Sequence, residues 1–526
     1  MNFKYFTPFL ALLLLVFAGR VNAQRYLAPV FESVNVAKDA PYGANYTVQY
    51  YSTVGKPVLQ PLTMDIYAPS GDTITERPLV LIFHTGNFLP QGLNGGVTGV
   101  KSDSSDVEIA TRLAKMGYIA ASCDYRLGWN PIAVTQEERT NTLINAAYRG
   151  VQDARTAIRF FRASYEQGNP YGIDTSRIVL WGIGTGGYIT LAAATLDKYT
   201  DVLIPKFIGS DVTGDGLSDP MVIEPINGDI WGTSYGLLPN ASGGLDTFCI
   251  PNFEGYSSDF DLCVNVGGAL GDTSWLDATD PPMIGVQVPT DPLAPYKERI
   301  LLVPTPKGYE NVVEVQGAYL VIQKANELGN NQAMIDANID DPITQVINTR
   351  NDGLEGLCPL IGRLPEDSSP WSWWSVEYWS QVASPFCGTM QPPACSFHTV
   401  GLQSNPDMSP AKGRSYIDTI MAYYAPRAAA VLGLNATSSI DLISGQDVQL
   451  RISPNPASGR LRIQSSYEKP ILDAGIYNLA GMEIHRKSGL NTNDLEFDRG
   501  NLPAGTYLLR LRFQAGVVTQ KIVFVD

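Results

Sequence analysis

The chain has 526 residues, of which 44% are hydrophobic and only 17% are charged. A chain of this length and composition can bury more than one core, so we expect two or three folded domains and little disorder. Its formal net charge is −15, from 37 basic and 52 acidic residues. Such a surface repels phosphate backbones and anionic lipid, which argues against nucleic acid as a partner.

The first 23 residues are typical of a secretory signal peptide. Lys4 precedes an apolar run at 9–18, and Val21 and Ala23 place small residues at positions −3 and −1 of a cleavage site. The run is too short for a membrane span, and no later stretch is long enough. We therefore expect cleavage after Ala23 and an exported protein without a membrane span. Removal of these residues leaves a net charge near −17, because they contain two basic residues and no acid.

The six cysteines are an even number in a chain that is bound for an oxidising space, which favours disulfides. Cys249 and Cys263 flank one loop, and Cys387 and Cys395 flank another, so we predict a local disulfide in each pair. Cys123 lies in an apolar strand pattern and is predicted to be a buried thiol. With three histidines and no zinc-like cysteine spacing, a histidine-rich metal site is excluded.

Strand and helix patterns alternate along the first 330 residues. Two alternating segments, 46–50 and 62–67, predict antiparallel edge strands. Continuously apolar segments then predict strands buried on both faces, with helices between them. In chain order these are strand 79–83, helix 107–116, strand 118–123, helix 140–165, strand 177–181, helix 188–196, strands 262–266 and 283–288, and helix 315–328. The alternation predicts a doubly wound, mostly parallel α/β sheet, with ligands bound at the carboxyl ends of its strands.

Two long segments rich in glycine, proline and aspartate, 205–260 and 330–400, interrupt this alternation. Long loops in compact domains are often functional lids. The second segment holds half of the eight tryptophans, namely Trp371, Trp373, Trp374 and Trp379. They predict either a buried plug that fixes the insertion to the body or an aromatic wall over a ligand. We favour the plug because buried aromatic side chains usually pack cores.

The end of the chain is all β in pattern. A last helix at 416–432 and a short polar linker at 435–439 come first. Alternating segments separated by turn residues then predict a small immunoglobulin-like sandwich. These segments are 448–452, 461–463, 471–477, 506–513 and 517–525. The expected domains are therefore a signal peptide at 1–23, an α/β domain at 24–440 and a β-domain at 445–526.

Four motifs in the β-domain carry a family resemblance. They are ISPNPASG at 452–459, IYNLAG at 476–481, LPAGTY at 502–507 and KIVFV at 521–525. In this order they resemble the type IX (Por) secretion sorting domain of Bacteroidetes. The resemblance implies the type IX secretion machinery as a partner, passage from the periplasm through the outer membrane, and removal of the domain with release or surface attachment. A carbohydrate-binding or adhesive sandwich is the alternative.

The body also carries a series of motifs in a defined order. They are HTGNF at 84–88, DYRLG at 124–128, QDARTAIRF at 152–160, GIDTSRI at 172–178 and WGIGTGG at 181–187. Together they resemble the carboxylesterase and feruloyl-esterase-like (BD-FAE-like) branch of the α/β hydrolases. The resemblance implies an α/β-hydrolase fold. It also implies a serine nucleophile on a sharp strand-to-helix turn, G-x-S-x-G, beside oxyanion donors.

The nucleophile position of that turn is glycine in this chain. Gly182 and Gly186 are in place, but Gly184 stands where serine is needed, so Ser–His–acid chemistry cannot run there. The backbone N–H of Thr185 would be an oxyanion donor, and its hydroxyl is expected to point away from the tip. The one complete G-x-S-x-G string, around Ser234, follows no buried strand and precedes no helix. We interpret it as a loop, and Ser234 and Thr185 remain minor candidate nucleophiles.

The resemblance places the other catalytic parts. Asp291, just past strand 283–288, takes the position of the triad acid, and a turn residue before proline is its structural alternative. His398, before the last helix, takes the position of the base, and a packed loop histidine is the alternative there. The loop after the first buried strand would supply oxyanion or binding groups, from His84, Thr85, Gly86 and Asn87.

Acidic residues predict two further features. Asp124 and Arg126 are expected to form a structural pair rather than to catalyse. From residue 211, side chains that carry oxygen recur at alternate positions, and glycine occupies the sixth position, as in calcium-binding loops. The candidate ligands are Asp211, Thr213, Asp215 and Asp219. The bidentate glutamate is missing at the twelfth position, so a solvated acidic loop is favoured and calcium is the alternative. No other cofactor is expected.

Three functions remain open at this point. The first is a secreted or surface-attached esterase relative that has lost its nucleophile and binds a small-molecule or ester ligand, or serves as a surface protein. The second is a carboxylic-ester hydrolase that uses Ser234 or an activated water with His398 and Asp291. The third is a structural scaffold at the cell surface.

Overall fold

The computed structural model describes residues 25–212, 214–305, 308–434, 448–477, 483–487, 489–513 and 516–525. Its contacts divide the chain into one unit at 24–433 and a second that contains the residues from 434 to the C-terminus. The predicted signal peptide and linker lie outside the described residues. Among the described helices, none combines the length and the apolar character needed to cross a membrane.

The first unit is built on a large mixed sheet. Its strands are β1 Val34–Thr47, β2 Val58–Pro69, β3 Arg77–Phe83, β4 Ile119–Cys123, β5 Ile173–Ile183, β6 Gly236–Pro239, β7 Leu245–Cys249, β8 Leu262–Val266, β9 Ala269–Leu270, β10 Met283–Gln287, β11 Glu298–Thr305, β12 Gly308–Gly317 and β13 Leu357–Pro359. Eight of them form the sheet in the order β1-β2-β4-β3-β5-β8-β10-β13. β1–β2 and β2–β4 pair antiparallel, and the other neighbours pair parallel. This confirms the predicted doubly wound, mostly parallel sheet.

Helices connect and cover these strands. They are α1 Tyr51–Val54, α2 Ser104–Met116, α3 Gln136–Glu166, α4 Thr185–Thr195, α5 Glu224–Asn227, α6 Ala318–Leu328, α7 Gln332–Asp336, α8 Pro342–Asn348, α9 Val376–Trp379, α10 Phe397–Gly401 and α11 Pro410–Val431. Short 3-10 helices lie at Tyr199–Val202, Pro205–Phe207, Thr273–Trp275 and Pro385–Cys387. The central strands are mostly apolar because helices cover both faces of the sheet. β3, for example, is buried at every position.

Two helices begin at residues other than those that the hydrophobic pattern predicted, one because of a capping residue and one because of the preceding strand. α11 begins at 410 rather than 416 because Ser409 accepts a hydrogen bond from the Lys412 N–H and proline occupies the first helical position. α6 begins at 318 rather than 315 because β12 continues to Gly317, where it pairs with β9. The β11–β12 hairpin was not predicted from the sequence.

One of the two predicted disulfides is present. Cys387 and Cys395 are bonded, and Cys123 is a buried free thiol, as predicted. The predicted Cys249–Cys263 bond is wrong, because both residues are buried free thiols. Cys249 ends the β6–β7 hairpin, where it meets Asn45 and Gln152, whereas Cys263 lies inside the central strand β8.

The second unit is a small all-β sandwich. Its strands are β14 Arg451–Ser453, β15 Arg460–Gln464, β16 Asp473–Tyr477, β17 Glu483–Lys487, β18 Asp494–Asp498, β19 Gly505–Phe513 and β20 Gly516–Phe524. They form two antiparallel sheets, β14-β15-β18 and β17-β16-β19-β20. Side chains from both sheets share one apolar core, among them Ile463, Phe497, Leu509 and Ile522. The predicted all-β domain is confirmed, and the sequence pattern missed β17 and β18.

Candidate functional site

The turn between β5 and α4 has the shape of a nucleophile elbow. Gly184 occupies its tip with φ 54° and ψ −117°, a conformation that strains any residue with a side chain. The flanking glycines are required by close packing. A Cβ built at Gly182 would lie 2.1 Å from the Gly186 carbonyl oxygen, and one at Gly186 would lie 1.9 Å from the Phe83 carbonyl oxygen. The backbone therefore has the elbow geometry, although its tip carries no nucleophile.

The side chain of Thr85 fills the space at the tip of the elbow. A Cβ built at Gly184 would lie 2.1 Å from Thr85 Oγ1 and 2.7 Å from Thr85 Cβ. Both distances are far inside van der Waals contact, so the two side chains exclude each other. Thr85 was predicted as an oxyanion or binding residue, and its pairing with Gly184, which was not predicted, depends on the parallel register that joins β3 to β5.

The loop after β3 is held by His84 and Tyr125. His84 is 3% exposed, its Nδ1 lies 2.5 Å from the Thr85 carbonyl oxygen, and its ring stacks on Tyr125. Burial lowers the pKa of His84, partly opposed by the nearby charge of Asp124. Beyond it, Gly86, Asn87 and Phe88 all have positive φ, so the backbone turns sharply. His84 is thus a neutral anchor of this loop.

The hydroxyl of Thr185 is tied to the same network. Thr185 Oγ1 lies 3.2 Å from the Tyr125 hydroxyl, which also donates to the His84 carbonyl oxygen at 2.9 Å. Tyr125 therefore links the loop after β3 to the first residue of α4. From the sequence, Tyr125 was noted only as part of the DYRLG motif and was assigned no role of its own.

The predicted ion pair between Asp124 and Arg126 is wrong, because each residue pairs with a different partner. Asp124 binds Lys101 Nζ at 2.5 Å and accepts from Thr63 Oγ1 at 2.8 Å. Arg126 instead forms a fully buried ion pair with Asp153 on α3. The spacing of two residues does not bring the two side chains together, because each bonds to a partner from another part of the fold: Lys101 for Asp124 and Asp153 of α3 for Arg126. Both residues nevertheless have structural roles, as expected.

His398 lies in α10 and packs against Trp374. The Trp374 indole N–H donates to His398 Nδ1 at 3.2 Å. A neutral imidazole that accepts at Nδ1 carries its proton on Nε2. A general base of the serine-hydrolase type needs the reverse arrangement, with a proton on Nδ1 held by a carboxylate and a free lone pair on Nε2. Among the described residues, no carboxylate oxygen lies within 4.0 Å of a His398 nitrogen.

Asp291 lies beyond the end of β10, with its carboxylate turned into its own loop. Oδ1 accepts from the backbone N–H groups of Leu293 and Ala294 at 2.7 and 3.2 Å, and Oδ2 accepts from Gln287 Nε2 at 3.2 Å. Burial raises the pKa of Asp291 to about 7. These contacts match the turn-residue alternative, and the described structure shows no hydrogen bond or ion pair between Asp291 and His398.

Ser234 has a structural partner as well. Its hydroxyl accepts a hydrogen bond from the Asp229 backbone N–H at 2.8 Å, inside the loop between α5 and β6. Asp229 in turn accepts from the N–H and the hydroxyl of Thr233. The string around Ser234 therefore builds a tight turn, and among the described residues no imidazole is hydrogen-bonded to this hydroxyl.

The second insertion covers loops at the carboxyl ends of the strands. Trp371 lies over Gly267, just past β8, and Phe386 lies over Gly95 in the loop after β3. Trp373 and Trp374 are each 8% exposed and pack over glycines of α11 and α10. Three of the four tryptophans are thus buried as a plug, while Trp379 is partly buried against Phe397.

A buried lysine holds this insertion on α11. Lys412 Nζ is fully buried and binds Asp367 Oδ1 at 2.6 Å and Asn405 Oδ1 at 2.7 Å. It also contacts Asp407. The cover is therefore fixed by a satisfied polar network as well as by aromatic packing.

An apolar cavity of about 50 Å³ lies against α4, the helix that follows the elbow. Phe88 reaches it from the loop after β3, and Tyr188 reaches it from the first turn of α4. The remaining walls come mainly from α3, α4 and β12, including Ala147, Val151, Ala192 and Val313. A cavity that accommodates a single water molecule has a volume of roughly 10–15 Å³, so this cavity has room for a short aliphatic group. The helical pattern at 140–165 and 188–196 predicted Ala147, Val151 and Ala192 within helices and gave no sign of a gap beside them.

The acidic loop for which calcium was the alternative interpretation has its carboxylates engaged by backbone hydrogen bonds. Asp211 accepts from the N–H groups of Gly214 and Gly216, and Asp219 accepts from that of Val212. Asp215 accepts from Leu217 N–H, and Thr213 lies outside the described residues. The resolved carboxylates thus stabilise turns within an exposed loop, and calcium at this loop stays a prediction.

Two segments match known families. Residues 64–211 match the family described as BD-FAE, and residues 451–525 match that described as secretion system C-terminal sorting domain. A search of curated proteins gave no match.

Solved structures of esterases resemble the chain at low identity. A truncated carbohydrate esterase from gut microbiota is 16% identical over 51% of this chain and 82% of its own, with a TM-score of 0.28. Thermogutta terrifontis esterase 2, phosphorylated by paraoxon, is 16% identical over 57% and 80%, with a TM-score of 0.28.

A bifunctional GH43-CE protein of Bacteroides eggerthii is 17% identical over 44% of this chain, with a TM-score of 0.25. The match spans only 27% of that protein's length. The fold assignment rests on the strand order described above together with the family matches. The chain therefore contains an esterase-like α/β-hydrolase domain of the BD-FAE family, matched at 64–211, followed by a secretion system C-terminal sorting domain at 451–525.

Proposed function

We propose that the α/β unit is an exported ligand-binding protein that has the esterase fold without serine-type acyl transfer. The observation that carries the proposal is the Thr85 side chain, which fills the space that a nucleophile at position 184 would occupy. A lost serine alone would leave an empty slot beside an otherwise competent site. Here the neighbouring loop has closed that slot, so the elbow is built around the glycine.

The other candidate catalytic residues of the unit support the same proposal. The His398 imidazole accepts at Nδ1, the nitrogen that a triad histidine uses to donate. The Asp291 carboxylate is engaged by loop N–H groups, and the Ser234 hydroxyl by Asp229. Each residue that would support hydrolysis thus has another partner in the described structure.

The apolar cavity bordered by Phe88 and Tyr188 indicates the chemical class of the ligand. Its walls are almost wholly apolar, and its volume of about 50 Å³ suits an aliphatic chain of a few carbons. Ligand sites of this fold class lie at the carboxyl ends of the strands, where Phe88 and Tyr188 also lie. We therefore propose a ligand with a short aliphatic group, such as the acyl part of a small ester.

The test combines binding and turnover of one compound, p-nitrophenyl butyrate. The proposal predicts that it raises the melting temperature of the protein without release of p-nitrophenol above the solvent rate. Ala147→Leu, which fills the cavity, should abolish the shift, whereas Ala241→Leu on an exposed turn should retain it. Release that disappears in His398→Ala or Ser234→Ala would overturn the proposal and establish a hydrolase. An equal shift in Ala147→Leu would overturn the assignment of the cavity.

The C-terminal sorting domain and the predicted signal peptide support an exported location. We propose that the protein crosses the outer membrane through the type IX machinery and is released or retained at the surface. Deletion of residues 445–526 should leave the truncated protein in the periplasm. Normal appearance of the truncated protein outside the cell would contradict this role.

A further inference from the structure

The C-terminal domain has a charge opposite in sign to that of the whole chain. Residues 448–525 contain ten basic and six acidic residues, whereas the complete chain carries −15. Three of the six acids, Asp494, Glu496 and Asp498, lie on β18, where they pair with Arg460 and Arg462 of β15. The excess positive charge therefore lies elsewhere in this domain.

Much of that excess gathers on the outer face of the four-stranded sheet. In the strand register, Gly475 of β16 lies opposite Arg486 of β17 on one side and Arg510 of β19 on the other. Asp473 lies opposite Arg512 in the same way. Residues directly opposite each other, and those two apart along a strand, share a face of a sheet. Three arginines thus surround Gly475 on the face away from the core.

A cavity of about 200 Å³ lies between these arginines. The backbone of Gly475 forms part of its floor, and the Tyr477 ring stands against it. A Cβ built at Gly475 would lie 2.8 Å from Tyr477 Cε2. The absence of a side chain at position 475 therefore helps to create the cavity.

One carboxylate is already held on this face, and one arginine is left over. Arg512 binds Asp473 through both Nε and Nη2. Arg510 is exposed and forms no ion pair with any of the described carboxylates. Guanidinium groups bind carboxylates in a planar, often bidentate geometry. Arg510 can therefore form an ion pair with a second carboxylate in the cavity, as Arg512 does with Asp473.

We propose that this cavity, formed by Gly475, Tyr477, Arg486, Arg510 and Arg512, is a docking site for a carboxylate side chain of an acidic segment on a partner protein. The volume suits one side chain, and the positive charge of the face steers an acidic partner toward it. A singly charged carboxylate is favoured over a phosphate because Asp473 remains in the cavity and repels a dianion more strongly. The proposal concerns the sorting domain and is independent of the elbow.

The experiment measures binding of a fluorescein-labelled hexaglutamate peptide to the full-length protein by fluorescence anisotropy at low salt. Arg486→Gln/Arg510→Gln should weaken binding by about tenfold or more. The control Arg460→Gln/Arg462→Gln removes the same charge from the other sheet and should change affinity less than about twofold. All four arginines are exposed, and circular dichroism checks that both variants fold.

Equal weakening in the two variants would show a general charge effect and overturn the proposal, as would absence of binding to the wild type. Inorganic phosphate serves as the competing probe. Displacement of the peptide by phosphate at lower concentration than by glutamate would overturn the assignment to a carboxylate. Weaker displacement by phosphate than by glutamate would support it.

Discussion

Thr85 Oγ1 lies 2.1 Å from the position that a Cβ of residue 184 would take. Side chains at both positions cannot coexist without a shift of the backbone, so Thr85 and Gly184 form one structural unit. The absence of a serine at the elbow is therefore coupled to Thr85, the second residue after β3. This relationship makes the effect of a serine at position 184 depend on residue 85.

Gly184→Ser alone should destabilise the protein. The collision with Thr85 costs about 1–3 kcal/mol, and the positive φ adds strain of about 1 kcal/mol or more. Thr85→Gly/Gly184→Ser should recover about 1–3 kcal/mol relative to the single serine variant, as measured by urea unfolding in a double-mutant cycle. Thr85→Ala/Gly184→Ser is the matched control, because Thr85 Cβ at 2.7 Å would still collide. If the change in unfolding free energy of the double variant equalled the sum of the changes in the two single variants, the coupling would be contradicted.

The tautomer of His398 can be measured directly. Because Trp374 donates to Nδ1, we expect neutral His398 to carry its proton on Nε2 in ¹⁵N-edited imidazole spectra. Trp374→Phe removes the donor and should change this pattern. Trp373→Phe, a neighbouring indole that packs on Gly413, should leave it unchanged. A proton on Nδ1 in the wild type would contradict the geometry.

The buried carboxyl of Asp291 predicts a specific dependence of stability on pH. Its pKa of about 7 in the folded protein exceeds the ordinary value of 3.8, so the folded state holds a proton that the unfolded chain releases. The contribution of Asp291 to stability is therefore fully present below about pH 4 and is lost as the pH rises toward 7.

Between pH 4 and 7, the free energy of unfolding of the wild type should fall by up to about 4 kcal/mol relative to that of Asp291→Asn. The difference in slope is the diagnostic quantity, because asparagine also alters the hydrogen bonds of the loop. Asp259→Asn, at an exposed position, is the control and should leave the slope unchanged. Parallel stability curves for wild type and Asp291→Asn would contradict the prediction.

The cysteines predict a simple count of thiols. Cys123, Cys249, Cys263 and Cys358 are buried and free, and Cys387–Cys395 is the disulfide. Ellman's reagent should find no thiol in the native protein, four after denaturation, and six after denaturation with reduction. Two thiols after denaturation alone would indicate that Cys249 and Cys263 are bonded after all.

The sequence predicted the fold better than the site, for a physical reason. Largely apolar runs such as 79–83 and 177–181 indicate buried parallel strands, because a strand that is buried on both faces has apolar side chains at successive positions. The glycines of the elbow are likewise visible in the sequence. The approach of Thr85 to Gly184, however, depends on the register between two strands whose loops are about a hundred residues apart.

The same distinction explains the wrong pairings. Loop-flanking cysteines suggest a bond, yet Cys263 lies inside a central strand and Cys249 ends a hairpin. Asp124 and Arg126 are only two residues apart in the sequence, yet Lys101 and Asp153 are their partners in space. The donation from Trp374 to His398 joins two parts of one insertion in a way that no sequence spacing shows. Long-range side-chain contacts of this kind are set by packing rather than by local pattern.

The most direct measurement is the intact mass of the full-length protein after incubation with a fluorophosphonate, which labels activated hydroxyl nucleophiles. The account predicts an unmodified mass for the wild type, because Gly184 has no hydroxyl and Ser234 and Thr185 are engaged with Asp229 and Tyr125. A single adduct on Thr85, Thr185 or Ser234 that disappears in His398→Ala would contradict it.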